Sequence, residues 1–165
     1  MATPPLGQRI RGLVLLGLAI GLIRYGLEFV ASKHAMWFGV YYVMPIALLV
    51  IGLRRTWGDI RWPVLLGTMF VMCLVVWGIP NTLAYTTGQF QGWNHGRFYS
   101  GGGDDTHVRA APIAASTLGK VGLGLMQGLL TAVAGTVWCT VFGTLFIWLP
   151  ARLRRGAAAT TGAHR

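Results

Sequence analysis

The sequence predicts an all-α integral membrane protein, a four-helix bundle with one long extracytoplasmic loop. Of its 165 residues, 54% are hydrophobic and only 11% are charged, whereas soluble domains carry about 25% charged residues. The apolar residues also gather into long runs, and a helix needs roughly 20 such residues to cross the hydrocarbon core of a bilayer. A chain of this length holds one domain. We expect it to comprise residues 1–155, with a disordered cytoplasmic tail at 156–165.

Four apolar runs are long enough to be membrane spans. They lie at roughly residues 13–30, 37–53, 64–85 and 121–149. Pro45 should kink the second run, and Pro80, in the stretch WGIPN, should kink or end the third, because proline removes a backbone donor. The carbonyl groups freed near Pro80 need partners, which we expect among Asn81, Thr82 and Thr86.

Arginine and lysine are distributed unequally between the two ends of these runs. One end holds Arg9, Arg11, Arg54, Arg55, Arg61, Arg152, Arg154, Arg155 and Arg165, and the other holds Lys33, Arg97, Arg109 and Lys120. Cytoplasmic loops carry the excess of basic residues. We therefore expect both termini in the cytoplasm and the loop 87–118 outside.

Charge and composition also indicate the partners and the source. The net charge is +10, but the basic residues flank the apolar runs, so nucleic acid is not an expected partner. We interpret these arginines as topology signals rather than as a lipid or RNA site. The expected partners are membrane lipids and other membrane protein subunits, or a second copy of the chain. The preference for Arg over Lys, with abundant Ala and Gly, is typical of GC-rich coding and indicates a bacterial inner membrane.

The stretch LIRYGLEFV places two charges inside the first apolar run. Gly17, Gly21, Arg24 and Glu28 are spaced by four, three and four residues, so they share one helix face. The glycines favour close approach of another helix. A lone arginine at the centre of a membrane helix costs about 2.5–3.5 kcal/mol. The pair is thus either a structural pair that sets helix register, a functional pair that lines a polar cavity for a proton, an ion or a headgroup, or a contact with a partner subunit.

The fourth run carries a second small-residue motif, Gly124-x-x-x-Gly128. Such spacing favours close helix packing, and we expect this run to pack against the first. Gln127 is the strongly polar side chain deep in this run, and we interpret it as an interhelical hydrogen-bond donor or acceptor rather than as a transport site.

The outer loop contains the weak metal-ligand candidates Asp104, Asp105, His107 and His95. Their spacing matches no metal motif, and a glycine-rich loop is a poor scaffold for a site, so no metal is predicted. No G-x-S-x-G motif is present, and no histidine lies within an apolar run to ligate haem. We predict no catalytic residues and no cofactor.

Three hypotheses for function follow. The first is a non-catalytic accessory or scaffold subunit of a larger membrane complex, because glycine-lined faces are abundant and a catalytic motif is lacking. The second is a small transporter or channel component that uses the intramembrane pair Arg24 and Glu28. The third is a membrane enzyme with a site between the outer loop and the first span.

Overall fold

A computed structural model of the chain describes residues 5–35, 37–93 and 116–162. These residues form helices and short connections and contain no strand. The helices are α1 (Leu6–Val30), the single turn α2 (Ser32–Ala35), α3 (Val40–Arg54), α4 (Trp62–Gln91) and α5, which begins at Thr117 and continues to Gly162. The predicted all-helical class is confirmed for this part of the chain.

Two π-helical segments interrupt the long helices, each two residues before a proline. Leu74–Gly78 precedes Pro80 in α4, and Thr144–Trp148 precedes Pro150 in α5. Proline lacks an N–H group and its ring clashes with the carbonyl four residues earlier. The wider π turn accommodates this misfit without ending the helix. The third run therefore does not end at WGIPN, and α4 continues to Gln91.

Within the described part of the chain, three helices are long and apolar enough to cross a membrane, namely Leu6–Val30, Trp62–Gln91 and Thr117–Gly156. The fourth apolar helix, α3, has only 15 residues. At 1.5 Å per residue it extends about 22 Å, less than the roughly 30 Å of a hydrocarbon core. The four predicted spans thus correspond to three helices of spanning length and one shorter helix.

The closest packing in the bundle is concentrated in four pairs of helices. Helix α1 contacts α3 and α4, and α5 contacts the same two helices, so that α1 and α5 occupy opposite corners of the bundle. The prediction that the fourth run packs against the first is wrong. The reason is steric. Threonine side chains of α4 fill the space beside the glycines of α5, and Val76 and Pro80, also of α4, fill the space beside the glycines of α1.

Cross-helix contacts define the relative directions of the helices. Arg9 Nη1 donates to Thr68 Oγ1 at 3.1 Å, and the hydroxyl groups of Tyr25 and Thr87 lie 2.9 Å apart, so α1 and α4 run parallel. Helix α5 runs antiparallel to α4, since Gly124 faces Thr86 and Gly143 faces Leu65. The core of the bundle contains fully buried side chains of α3, α4 and α5, among them Met44, Leu48, Leu65, Met69, Met72 and Cys139.

The ends of α5 differ from the predicted boundaries. Ser116 caps its first turn, because the Ser116 Oγ accepts the N–H of Gly119 at 3.0 Å. At the other end the helix extends to Gly162, although the sequence predicts a disordered tail from Gly156. The alanines that follow Gly156 have the highest helix propensity of any residue and continue the helix.

Candidate functional site: a cavity beside Arg24

The face of α1 predicted from the sequence is the face that packs into the bundle. Gly17, Gly21 and Glu28 are buried, and Arg24 is half-buried. A Cβ atom on Gly21 would lie 2.7 Å from the Cγ of Pro80. The absence of side chains at these positions therefore brings α1 directly against the π-helical segment of α4.

A cavity of about 190 Å³ opens beside Arg24. All four main helices contribute to its wall, which consists of Gly21, Arg24, Val40, Tyr41, Val76, Trp77, Pro80, Asn81, Tyr85 and Thr131. Since a water molecule occupies about 30 Å³ in the liquid, the cavity has room for about six waters or for a small polar solute. Arg24 is the one charged side chain among the described residues that line it.

The ion pair between Arg24 and Glu28 is loose. Arg24 Nε lies 4.0 Å from Glu28 Oε1, too far for a hydrogen bond, and the two side chains are 25% and 2% exposed. Arg24 Nε has no hydrogen-bond acceptor among the described residues. Glu28 thus offsets part of the cost of burying the guanidinium. Arg24 is also among the residues that line the cavity.

Hydrogen bonds to backbone carbonyls hold two polar side chains of the wall. Asn81 Nδ2 donates to the carbonyl of Trp77 at 2.8 Å, within the disturbed backbone before Pro80. The prediction that Asn81 supplies a partner to this backbone is confirmed. On α5, Thr131 Oγ1 donates to the carbonyl of Gln127 at 2.9 Å. These local bonds attach the two side chains to the backbone of their own helices.

Aromatic side chains form the remaining wall. The ring of Tyr41 lies edge-on to Trp77 and Trp138, with centroid distances of 5.4 and 6.2 Å. Towards the end of α1, Phe29 is inserted between Tyr25 and Trp93, at 5.3 and 4.8 Å. These contacts attach the last turn of α1 to the end of α4, one turn beyond the cavity.

Several residues of this wall were not predicted from the sequence. The neighbouring tyrosines Tyr25 and Tyr42 do not line the cavity, since Tyr25 contacts Thr87 and Tyr42 is exposed. Tyr41 lines the cavity instead, together with Thr131. The sequence singles out only the backbone of Tyr41, because Tyr41 precedes Pro45 by four residues and its carbonyl therefore loses a helical donor; it does not indicate where the ring lies.

The small-residue motif of α5 lies in the interface with α4. Gly124 and Gly128 are buried, and they face Thr86 and Thr82 respectively. Gln127 is half-buried on the same helix, but it is not among the residues that line the cavity.

The weak metal candidates lie outside the described residues, as does most of the outer loop. This holds for His95, Asp104, Asp105 and His107. Within the described residues, no group of three His, Cys, Asp or Glu side chains is placed to hold a metal ion. Both cysteines, Cys73 and Cys139, are free and buried.

Comparison of the chain with models of protein families, with curated proteins and with solved structures finds no match.

Proposed function

We propose that this chain is an integral protein of a bacterial inner membrane, with both termini in the cytoplasm, and that it acts without catalysis as a small transport component that binds an anion at Arg24. One observation carries this proposal: a cavity within the bundle is lined by a guanidinium group and by polar side chains of three other helices. Intramembrane ionisable residues commonly mark solute pathways.

The chemistry of the wall favours an anion over a cation. A guanidinium group is always charged and presents five N–H donors in a planar fork that matches carboxylate and phosphate groups. The surrounding apolar helices lower the local dielectric constant, which strengthens its attraction for a negative charge. A cavity of about 190 Å³ fits a solute of the size of acetate or inorganic phosphate.

The distribution of charge supports the proposed orientation. Arg9, Arg54, Arg61 and Arg152 lie at the same end of the bundle, as the directions of the helices require. Arg24 is six residues before Val30, or about 9 Å from the opposite end of α1. Access from the extracytoplasmic side therefore fits the position of the cavity.

Anion flux into proteoliposomes tests this proposal. Arg24→Gln keeps a polar, hydrogen-bonding side chain but removes its charge, and we expect at least a tenfold loss of acetate or phosphate flux. Arg11→Gln, on an exposed position of the same helix, is the matched control and should transport as the wild type does. Equal flux of Arg24→Gln and Arg11→Gln, at equal amounts of folded protein, would refute the proposal.

A second candidate function is the accessory or scaffold subunit, and an exposed stripe on α1 favours it. Gly12, Ala19 and Gly26 are exposed and lie seven residues apart. Nothing lies within 4 Å of the space that a side chain would fill at Gly12 or Gly26. Small residues at this spacing permit a further helix to approach closely.

Solubilisation in a mild detergent distinguishes this candidate. An accessory subunit should elute in a complex much larger than 17.9 kDa, and Gly26→Leu should dissociate it. Gly122→Leu, at an exposed glycine of α5 with equally open surroundings, should leave the complex intact. Recovery of a monomer in several detergents would exclude the accessory role.

A further inference from the structure

The basic end of the bundle contains a second cleft, of about 610 Å³. It lies between the start of α4 and the last part of α5, and it is lined by Ile60, Arg61, Trp62, Pro63, Trp148, Arg152, Arg155 and Gly156. We propose that this cleft binds the phosphate group of an anionic phospholipid from the cytoplasmic leaflet. The proposal rests on the membrane orientation proposed above but not on anion binding at Arg24.

Three arginines converge on this cleft from two separate parts of the chain. Arg61 immediately precedes α4, and Arg152 and Arg155 lie on α5. One carboxylate lies beside them, because Arg155 Nε is 3.5 Å from Asp59 Oδ2. Three guanidinium groups against one carboxylate leave an excess of positive charge, which suits a phosphate that accepts bidentate hydrogen bonds.

Two tryptophans, Trp62 and Trp148, line the cleft, as expected for a site at the depth of lipid headgroups. Trp148 lies 5.2 Å from the Arg152 guanidinium carbon, in a cation–π contact that orients the arginine. Trp62 Nε1 donates to Thr144 Oγ1 at 3.2 Å, which ties the start of α4 to α5. Tryptophan is enriched at the interface between lipid and water. The aromatic wall thus fits a lipid better than it fits a free inorganic ion.

A role in topology does not account for this arrangement. The rule that cytoplasmic loops carry an excess of basic residues requires only that positive charge lies at that end of the bundle. Arg11, Arg54 and Arg154 meet this requirement equally, and they do not line the cleft. Basic pockets between membrane helices on the cytoplasmic side are known to bind anionic headgroups.

Native mass spectrometry of the purified, detergent-solubilised protein tests the inference. The probes are phosphatidylglycerol and, at equal concentration, zwitterionic phosphatidylcholine. We expect the wild type to retain phosphatidylglycerol selectively. The triple variant Arg61→Gln, Arg152→Gln, Arg155→Gln should retain at least tenfold less. The matched triple variant Arg11→Gln, Arg54→Gln, Arg154→Gln removes the same charge elsewhere and should retain as much as the wild type.

The single variant Arg61→Gln provides a second measurement if the cleft triple variant does not fold, and we expect it to retain at least threefold less phosphatidylglycerol. Millimolar inorganic phosphate should not displace the lipid. Equal losses in the two triple variants would show general electrostatics and would overturn the inference. Equal retention of phosphatidylcholine, displacement by inorganic phosphate, or unchanged retention by Arg61→Gln would overturn it as well. None of these outcomes depends on flux through the Arg24 cavity, so the two proposals fail separately.

Discussion

Arg24 and Glu28 show how a charged pair is tolerated within an apolar helix. The carboxylate is almost completely buried, and the guanidinium lies beside it and borders a polar cavity. Removing one partner of such a pair leaves the other charge uncompensated, which costs more than removing both. The two residues should therefore be coupled in stability.

A double-mutant cycle with Arg24→Gln and Glu28→Gln measures this coupling. Each single variant should lower the free energy of unfolding, and the double variant should be more stable than the sum of the single effects implies. At a separation of 4.0 Å we expect a coupling energy of about 1 kcal/mol. Unfolding in mixed micelles provides the measurement, and strictly additive effects would show that the two charges do not interact.

Two glycine-to-alanine substitutions on α5 distinguish the contribution of helix packing to stability from the contribution of helix propensity. In Gly128→Ala, the new Cβ would lie 2.7 Å from the carbonyl oxygen of Gly78 and would collide with Thr82. Because a backbone atom cannot move aside, we expect a loss of about 1–3 kcal/mol in the free energy of unfolding. Gly122→Ala, with nothing within 4 Å, should be neutral or slightly stabilising. Comparable losses in both variants would contradict the observed helix interface.

At the scale of helices, the carbonyl groups that lose their helical donor to a proline are also points of contact with a neighbouring helix. Pro45 removes the helical donor for the carbonyl of Tyr41, and Trp138 Nε1 of α5 donates to that carbonyl at 3.2 Å. In α5, Pro150 lies four residues after Phe146, whose carbonyl faces Gly52 so closely that a Cβ would collide with it. Positions that weaken one helix are thus positions where a neighbouring helix packs.

The hydrogen bond from Trp138 should depend on Pro45. Trp138→Phe keeps a ring but loses the donor, and we expect it to lower the free energy of unfolding by about 0.5–1.5 kcal/mol. In a Pro45→Ala background, residue 45 regains an N–H group for Tyr41, so the same substitution should cost much less. Thermal unfolding of the four proteins in detergent measures this. An equal cost in both backgrounds would mean that Trp138 acts only through its ring contacts.

At the scale of the whole molecule, the sequence predicts the helices better than it predicts their arrangement. Runs of apolar residues specify helices, because a helix satisfies its own backbone hydrogen bonds in hydrocarbon. The predicted runs all lie within observed helices, apart from residues 37–39 at the start of the second run. The order of helices around the bundle was not predictable, since glycine motifs on α1 and α5 both suit a close neighbour. Only the side chains that face these glycines show that α4 is the neighbour of both helices. Val76 and Pro80 face the glycines of α1, and Thr82 and Thr86 face those of α5.

The sequence likewise predicts only part of the cavity wall. The spacing of Arg24 and Glu28 predicts a shared inward face, and the structure places both there. The wall opposite them comes from Tyr41, Asn81 and Thr131, on three different helices. Nothing in the local sequence around these residues indicates that they meet. A polar cavity of this kind becomes visible only when the helices are assembled.

Labelling of single introduced cysteines in intact membranes is the most direct test of an apolar bundle that encloses a polar, water-accessible site. Ile23 is 48% exposed on α1, whereas Thr131 lines the cavity beside Arg24. We expect Thr131→Cys to react with small, charged thiol reagents, faster with an anionic reagent than with a cationic one, because Arg24 attracts the anion. Ile23→Cys should remain unlabelled, because lipid would surround it in a membrane-spanning α1. Labelling of Ile23→Cys as fast as Thr131→Cys would show that water, rather than hydrocarbon, surrounds these helices, and an unreactive Thr131→Cys would show that the site beside Arg24 is closed to solutes.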